Sequence, residues 1–228
     1  MDETHYKALR QRMIAEVVSE TVFLTPRLGK SALNARVIEV LSEVPRHEFI
    51  PVQLQQFSYL NQPLPIGCGK TVSQPFIVAL MTDLLDPQPE DVVLEVGAGA
   101  GYQAAVLSRL VKQVYSIEML EELAISAGKR LKRLGYSNVS VGLGNGYHGW
   151  PEHAPYDKIL VTAAPELIPP ALIEQLKPGG RLVIPTGIAD AQQLVLAIKD
   201  KDGKLSLRDV LPVRFSELQQ GKAISGTA

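Results

Sequence analysis

Three glycines at alternate positions, Gly97, Gly99 and Gly101, follow the apolar run Val92-Val-Leu-Glu-Val96 and precede a helical pattern that opens at Tyr102. A buried strand turning sharply into a helix has this form. Glycine serves it by removing side chains where the backbone bends and where a ligand must come close. Unpaired N–H groups at the start of the helix add polar contacts. The spacing argues against a dinucleotide, whose fingerprint is G-x-G-x-x-G/A. After Gly97 and Gly99 the third position falls on Tyr102, and Gly101 stands one residue early. Two carboxylates complete the set: Glu95 before the turn, and Glu118 about twenty residues on, at the end of the next apolar run.

Other reactive residue types offer less. Cys68 has no partner histidine readable nearby and is expected to be a small packing residue. His148 and His153 lie five apart in a loop without a cysteine or carboxylate cluster, so no metal site is expected.

The elements that must position these residues follow from the hydrophobic pattern. Residues 4–24 read as a helix through Tyr6, Leu9, Met13, Val17 and Val18, and residues 32–44 as a second one that Pro45 stops. Residues 45–75, rich in Pro and Gly and without a period, read as a long shaped loop. A helix resumes over 76–85. Strands at 92–96, 113–117, 138–142 and 157–162 then alternate with helices at 102–111, 120–134 and 169–176. Lys177-Pro-Gly-Gly180 is read as a turn into a strand at 181–185. Repeated βα units imply a mostly parallel sheet with helices on both faces. The end differs: 192–199 and 205–211 flank Asp202-Gly203 and read as an antiparallel hairpin.

The 228 residues are expected to form a single α/β domain. Residues 1–75 carry N-terminal helices and a loop, 76–218 the core, and 219–228 a flexible tail. Net charge is −1 and 21% of residues are charged, with both signs dispersed, so no nucleic-acid surface is expected. One cysteine suits a reducing compartment, and no leader or membrane-spanning run is seen. A cytoplasmic monomer is the expectation.

The Gly-x-Gly-x-Gly turn with Glu95 and Glu118 resembles the cofactor motif of S-adenosylmethionine-dependent methyltransferases, which implies a Rossmann-like fold and that cofactor. Ligands of open α/β sheets bind beyond the carboxyl ends of the strands, a rim that collects Glu95–Gly101, Glu118, Gly144-Asn145-Gly146 and Thr162–Ala164. There Glu118 could take both ribose hydroxyls on its two oxygens, and Asn145 could meet the adenine amino group.

The resemblance extends further. Val44-Pro-Arg-His-Glu-Phe-Ile-Pro51, Thr71-Val-Ser-Gln-Pro75, Gly149-Trp-Pro-Glu-His-Ala-Pro-Tyr-Asp157, Val161-Thr-Ala-Ala164, Gln175-Leu-Lys-Pro-Gly-Gly-Arg-Leu-Val-Ile-Pro185 and Leu211-Pro-Val-Arg-Phe215 resemble the protein-L-isoaspartate O-methyltransferase family over roughly residues 30–218. The resemblance implies methylation of the free α-carboxyl of L-isoaspartyl residues in damaged proteins and peptides. Ser73 would be the active-site residue, with Thr71 and Val72 alongside the cofactor. The family usually has Asp where this chain has Asn145. Asn followed by Gly also converts spontaneously to isoaspartate, so Asn145 could age into the substrate itself. Methyl transfer to another acceptor, or cofactor binding without catalysis, are the competing expectations.

Overall fold

The computed structural model describes residues 3–221. The tail expected from 219 therefore lies, from 222 on, outside the described residues. The chain divides into two compact units, one up to Asp83 and one from Leu84 onward.

The first unit opens with α1 (Glu3–Phe23), which buries Tyr6, Met13 and Val17 along one side. Tyr6 and Met13 pack with Tyr59 in a small core. The short α2 (Thr25–Leu28) carries Pro26 in its first turn and is capped by Gly29, whose φ of 71° suits glycine. Asn34 caps α3 (Ala35–Glu43) by accepting from Arg36 N at 2.9 Å. Residues 45–75 are more regular than their composition suggests. They contain 3-10 turns at Arg46–Phe49 and Val52–Phe57 and a hairpin of β1 (Leu64–Gly67) and β2 (Lys70–Val72). Cys68 and Gly69 form its two-residue turn with φ of 51° and 65°, the double left-handed geometry that matches strand twist. Cys68 is thus exposed at the hairpin tip, not packed as expected. Helix α4 (Pro75–Leu85) ends two residues past the boundary at Asp83.

The second unit is built on a seven-stranded sheet. The strands are β3 (Val92–Val96), β4 (Gln113–Glu118), β5 (Val139–Leu143), β6 (Tyr156–Val161), β7 (Leu176–Thr186), β8 (Gln192–Lys199) and β9 (Leu205–Val213), in the order β5-β4-β3-β6-β7-β8-β9. Pairing is parallel from β5 to β7 and antiparallel from β7 to β9, as the βα alternation and terminal hairpin predict. Helices α5 (Tyr102–Ser108), α6 (Glu121–Arg133) and α7 (Pro170–Gln175) connect the parallel strands. Leu94, Val96, Ile117, Ile159, Val161, Leu182 and Ile184 form a core at the sheet centre. The Lys177–Gly180 turn is instead absorbed as an irregularity within β7, where the register jumps between Tyr156 and Lys158 of β6. Among the described residues no helix is long and apolar enough to cross a membrane.

Candidate functional site

From β3 the chain goes through α5 to β4 on one side, while β6 lies on the other side of β3. The crevice at the carboxyl ends of β3 and β6 is therefore the topological switch point, where open α/β sheets take ligands. Gly97 and Thr162, the first residues after these strands, meet there. Thr162 N donates to Val96 O at 2.9 Å, and Thr162 Oγ1 to Gly97 O at 2.8 Å. Gly97 has φ 96°, and a Cβ on it would collide with Thr162 Oγ1. Gly101, φ 90°, caps α5, and its open side is closed by Leu131 of α6. Arg130 Nη1 donates to Ala100 O at 2.9 Å and holds the turn from α6.

Glu118 closes the turn from the neighbouring strand. Its Oε2 accepts from Gly99 N at 2.8 Å, and its Oε1 from Met119 N and Leu120 N at 2.9 and 3.0 Å. A carboxylate has about four lone-pair sites, so roughly one remains, on Oε2. Oε1 is thus engaged by backbone, and Oε2 is the more open of the two oxygens toward the rim.

Asn145 and Gly146 follow β5 and reach the same rim. A Cβ on Gly146 would strike Val96 at the end of β3. Asn145 caps the 3-10 turn Gly146–His148, its Oδ1 accepting from Tyr147 N at 2.9 Å, and its Nδ2 donates to Gly221 O at 2.5 Å. One amide N–H and one lone pair remain for a ligand.

Glu95 is fully buried on β3. Ser116 Oγ donates to its Oε2, while Oε1 has no hydrogen-bond partner among the described residues. Burial pushes this carboxyl up to about 8; the Ser116 hydrogen bond opposes the rise and the Glu118 charge adds to it. At neutral pH it is a neutral acid. The glycine cradle, the remaining acceptor of Glu118 and the half-used amide of Asn145 match an adenosyl group with its hydroxyls and ring nitrogens, while Glu95 lies buried beneath them.

Thr71, Val72 and Ser73 form a separate group on the hairpin of the first unit. Thr71 is exposed and pairs with Pro65; Val72 is buried and pairs with Leu64. Ser73 is half-buried between β2 and α4. Its carbonyl accepts from Arg46 Nη2 at 2.8 Å, and Arg46, wholly buried, also donates through Nε to Ser58 O at 2.9 Å. Sequence reading assigned no role to Arg46, Arg130 or the segment Ser216–Gly221. That segment lies on the rim by hydrogen bonds from Ala164 N to Ser216 O and from Leu218 N to Ala164 O. No periodicity marks such contacts, and Arg46 stands in the sequence only as one residue of the Val44–Pro51 run that carries the family resemblance. Among the described residues no cluster of three or more His, Cys, Asp or Glu could hold a metal ion.

A family model described as Protein-L-isoaspartate(D-aspartate) O-methyltransferase (PCMT) matches residues 21–223. A Polaromonas protein named protein-L-isoaspartate O-methyltransferase 1 is 54% identical over 222 residues, 97% of this chain and 94% of the relative. A Syntrophobacter fumaroxidans protein named protein-L-isoaspartate O-methyltransferase 2 is 54% identical over 217 residues, 95% of this chain and 88% of its own. A solved protein-L-isoaspartate O-methyltransferase aligns over 92% of this chain with a TM-score of 0.78 and 29% identity; this chain spans 66% of that longer one. A Plasmodium falciparum chain described as a beta-aspartate methyltransferase, in complex with S-adenosyl-L-homocysteine, aligns over 95% of this chain and 99% of its own. Its TM-score is 0.76 at 21% identity, a likeness of fold.

Proposed function

The chain belongs to the protein-L-isoaspartate(D-aspartate) O-methyltransferase family, and from that membership we propose that it methylates the free α-carboxyl of L-isoaspartyl residues in damaged proteins, using S-adenosylmethionine. The observation that carries the reading is the 54% identity across 97% of the chain with a relative of that name.

The sulfonium of the cofactor supplies an electrophilic methyl group and its own leaving group. The chain's task is to bind and align. Gly97, Gly99 and Gly101 give the cofactor access to backbone. Glu118 takes a ribose hydroxyl on its remaining lone pair, Asn145 and Gly146 meet the adenine, and Glu95 supports the cofactor turn from beneath, on β3. Thr71 and Val72 line the methyl-donor side, and Ser73 donates to the acceptor carboxylate. No general base is needed, because a carboxylate with a pKa near 4 is already ionised at neutral pH. A neutral hydroxyl positions it without the charge that would blunt its attack, so the catalytic work is proximity and orientation. The backbone nitrogen of the following residue then attacks the ester carbonyl and expels methanol to solvent, and the resulting succinimide hydrolyses partly to normal aspartate.

In this reading the chain is one catalytic domain. Residues 1–75 bring the acceptor-side hairpin, 76–218 form the cofactor core, and the end beyond 218 is a tail. It acts as a cytoplasmic monomer on flexible segments of damaged proteins and binds neither nucleic acid nor membrane. Dispersed charge and a single cysteine support that reading.

The test is methyl transfer from labelled S-adenosylmethionine to two peptides that differ only in L-isoaspartate against L-aspartate. Label on the isoaspartyl peptide alone is expected. Label on neither, with cofactor binding intact by calorimetry, would overturn the reading in favour of another acceptor or a binding module. Ser73→Ala should lower turnover about tenfold or more while leaving cofactor affinity nearly unchanged.

A further inference from the structure

Helix α1 (Glu3–Phe23) lies almost wholly outside residues 21–223, which the family model matches, and its hydrophobic pattern implies packing and nothing more. Its last turn nevertheless carries Glu20. Glu20 Oε2 accepts from Asn61 Nδ2 at 2.7 Å and from Gln74 Nε2 at 3.1 Å. Asn61 Oδ1 accepts from Phe76 N at 2.9 Å, in the first turn of α4. Gln74 follows Ser73 directly, and its carbonyl receives the first helical bond of α4 from Val78 N at 3.1 Å.

Gln74 is a poor cap, because its side chain is too long to reach back to the helix N–H groups as Ser or Asp would. Pro75 has no N–H to contribute. The orphan donor of the first turn, Phe76 N, is instead satisfied by Asn61. The orientation of that amide is decided by Glu20: a carboxylate accepts only, so Nδ2 must face it and Oδ1 must face Phe76. The same carboxylate holds the Gln74 side chain. With Arg46 on the Ser73 carbonyl, the backbone from Ser73 to Phe76 is fixed at three points, two of which run through Glu20.

Resting on the acceptor-side role of Ser73, we propose that Glu20 is a positioning residue: through Gln74 and Asn61 it sets the backbone that presents the Ser73 hydroxyl to the acceptor carboxylate. Helix α1 is then part of the acceptor-side machinery. Hydrogen bonds to a carboxylate are about twice as strong as neutral ones, and losing this one frees both arms together.

The experiment pairs amide hydrogen exchange over residues 70–76 with peptide kinetics on the full chain. Glu20→Ala should speed exchange in that segment and raise KM for an isoaspartyl peptide about tenfold, with cofactor affinity by calorimetry within about twofold of the parent. Gln74→Glu should be at least as damaging, because it opposes two carboxylates. The double variant Glu20→Gln/Gln74→Glu should recover most of the loss, since an amide again faces a carboxylate. A merely structural role for α1 would not produce that rescue. Glu16→Ala, which breaks only an exposed pair with Arg12 on the same helix, should move neither readout. Unchanged exchange over 70–76 in Glu20→Ala, or a double variant no better than Gln74→Glu, would overturn the proposal. Should the parent label neither peptide, the proposed function fails, and the exchange measurements still decide what Glu20 does.

Discussion

Glu95 occupies a strand position that no water reaches, so its carboxyl is held neutral and its pKa lies at about 8. The sign of the consequence follows. The folded chain retains a proton that the unfolded chain releases near 4.5, so this residue's contribution to stability is complete below about pH 4.5 and is lost as pH rises toward 8. Glu95→Gln keeps the shape and removes the titration. Urea midpoints between pH 5 and 8.5 should fall with pH in the parent and be flatter in the variant; parallel slopes would contradict a buried neutral acid. Asn145 gives a second prediction at this scale. Its sequence partner Gly146 suggests rapid conversion to isoaspartate, yet Tyr147 N and Gly221 O hold its side chain in the folded chain. Peptide maps of aged protein should show isoaspartate at Asn145 forming several-fold more slowly in the native than in the urea-unfolded chain. The dipeptide was legible in sequence; the contact from Asn145 to Gly221, with all of β6 to β9 between them, was not.

At the scale of elements, the turn from β3 to α5 shows why its glycines are not interchangeable. Gly97 combines φ 96° with a wall formed by Thr162, whereas Gly101 faces the flexible Leu131 side chain. An alanine at 97 meets both left-handed strain, roughly 1–2 kcal/mol, and a collision of about 1–3 kcal/mol. Gly97→Ala is therefore expected to destabilise the protein by about 3 kcal/mol and to weaken cofactor binding. Adding Thr162→Ala should relieve the collision while the φ strain persists, restoring about half. Denaturant midpoints of the two single variants and the double would show this; strict additivity would mean the two residues do not meet. The strand–turn–helix unit was readable because its pattern is local: apolar run, glycines, helical period. The β1–β2 hairpin was not, because strands of four and three residues are too short to show alternation. The turn at Lys177–Gly180 was misplaced for the opposite reason. Turn residues mark a bend, and a long strand can carry that bend as an irregularity within its pairing.

On the scale of the whole molecule, two buried groups, Glu95 in one unit and His47 in the other, respond to pH in opposite senses. In the first unit His47 stacks on Tyr6 with ring centres 3.7 Å apart, and its Nδ1 lies 2.8 Å from Tyr59 OH. Arg10 donates to that hydroxyl through Nε and Nη2, so the Tyr59 proton is directed at His47, which must accept it as a neutral ring. Burial lowers the His47 pKa below 6.5; Glu48 and Glu3 oppose the shift and Arg10 adds to it. Its contribution is complete above about pH 6.5 and is lost as pH falls through the lowered value. Acid should therefore loosen the first unit, and alkali the sheet around Glu95 in the second. Hydrogen exchange at pH 5 and pH 8.5 should show the 45–60 segment opening more at the lower pH and β3 at the higher. His47→Gln should flatten the acid response and leave the alkaline one in place.

What the sequence determined by itself is the part written in local pattern. The βα alternation dictates a parallel sheet, Asp202-Gly203 the terminal hairpin, and Gly97-x-Gly99-x-Gly101 after Val92–Val96 a tight strand-to-helix turn, because hydrophobic period and turn chemistry act over a few residues. What only the tertiary structure decided is how the hydrogen-bonding capacity of those residues is shared. Glu118 has most of its lone pairs taken by backbone, Asn145 is bound to Gly221, Glu95 is left with an unpartnered oxygen, and Glu20 reaches Gln74 and Asn61 from a helix that reads as packing. Donors and acceptors carry no period along the chain, and burial, which sets both their partners and their charge, exists only once distant segments have met.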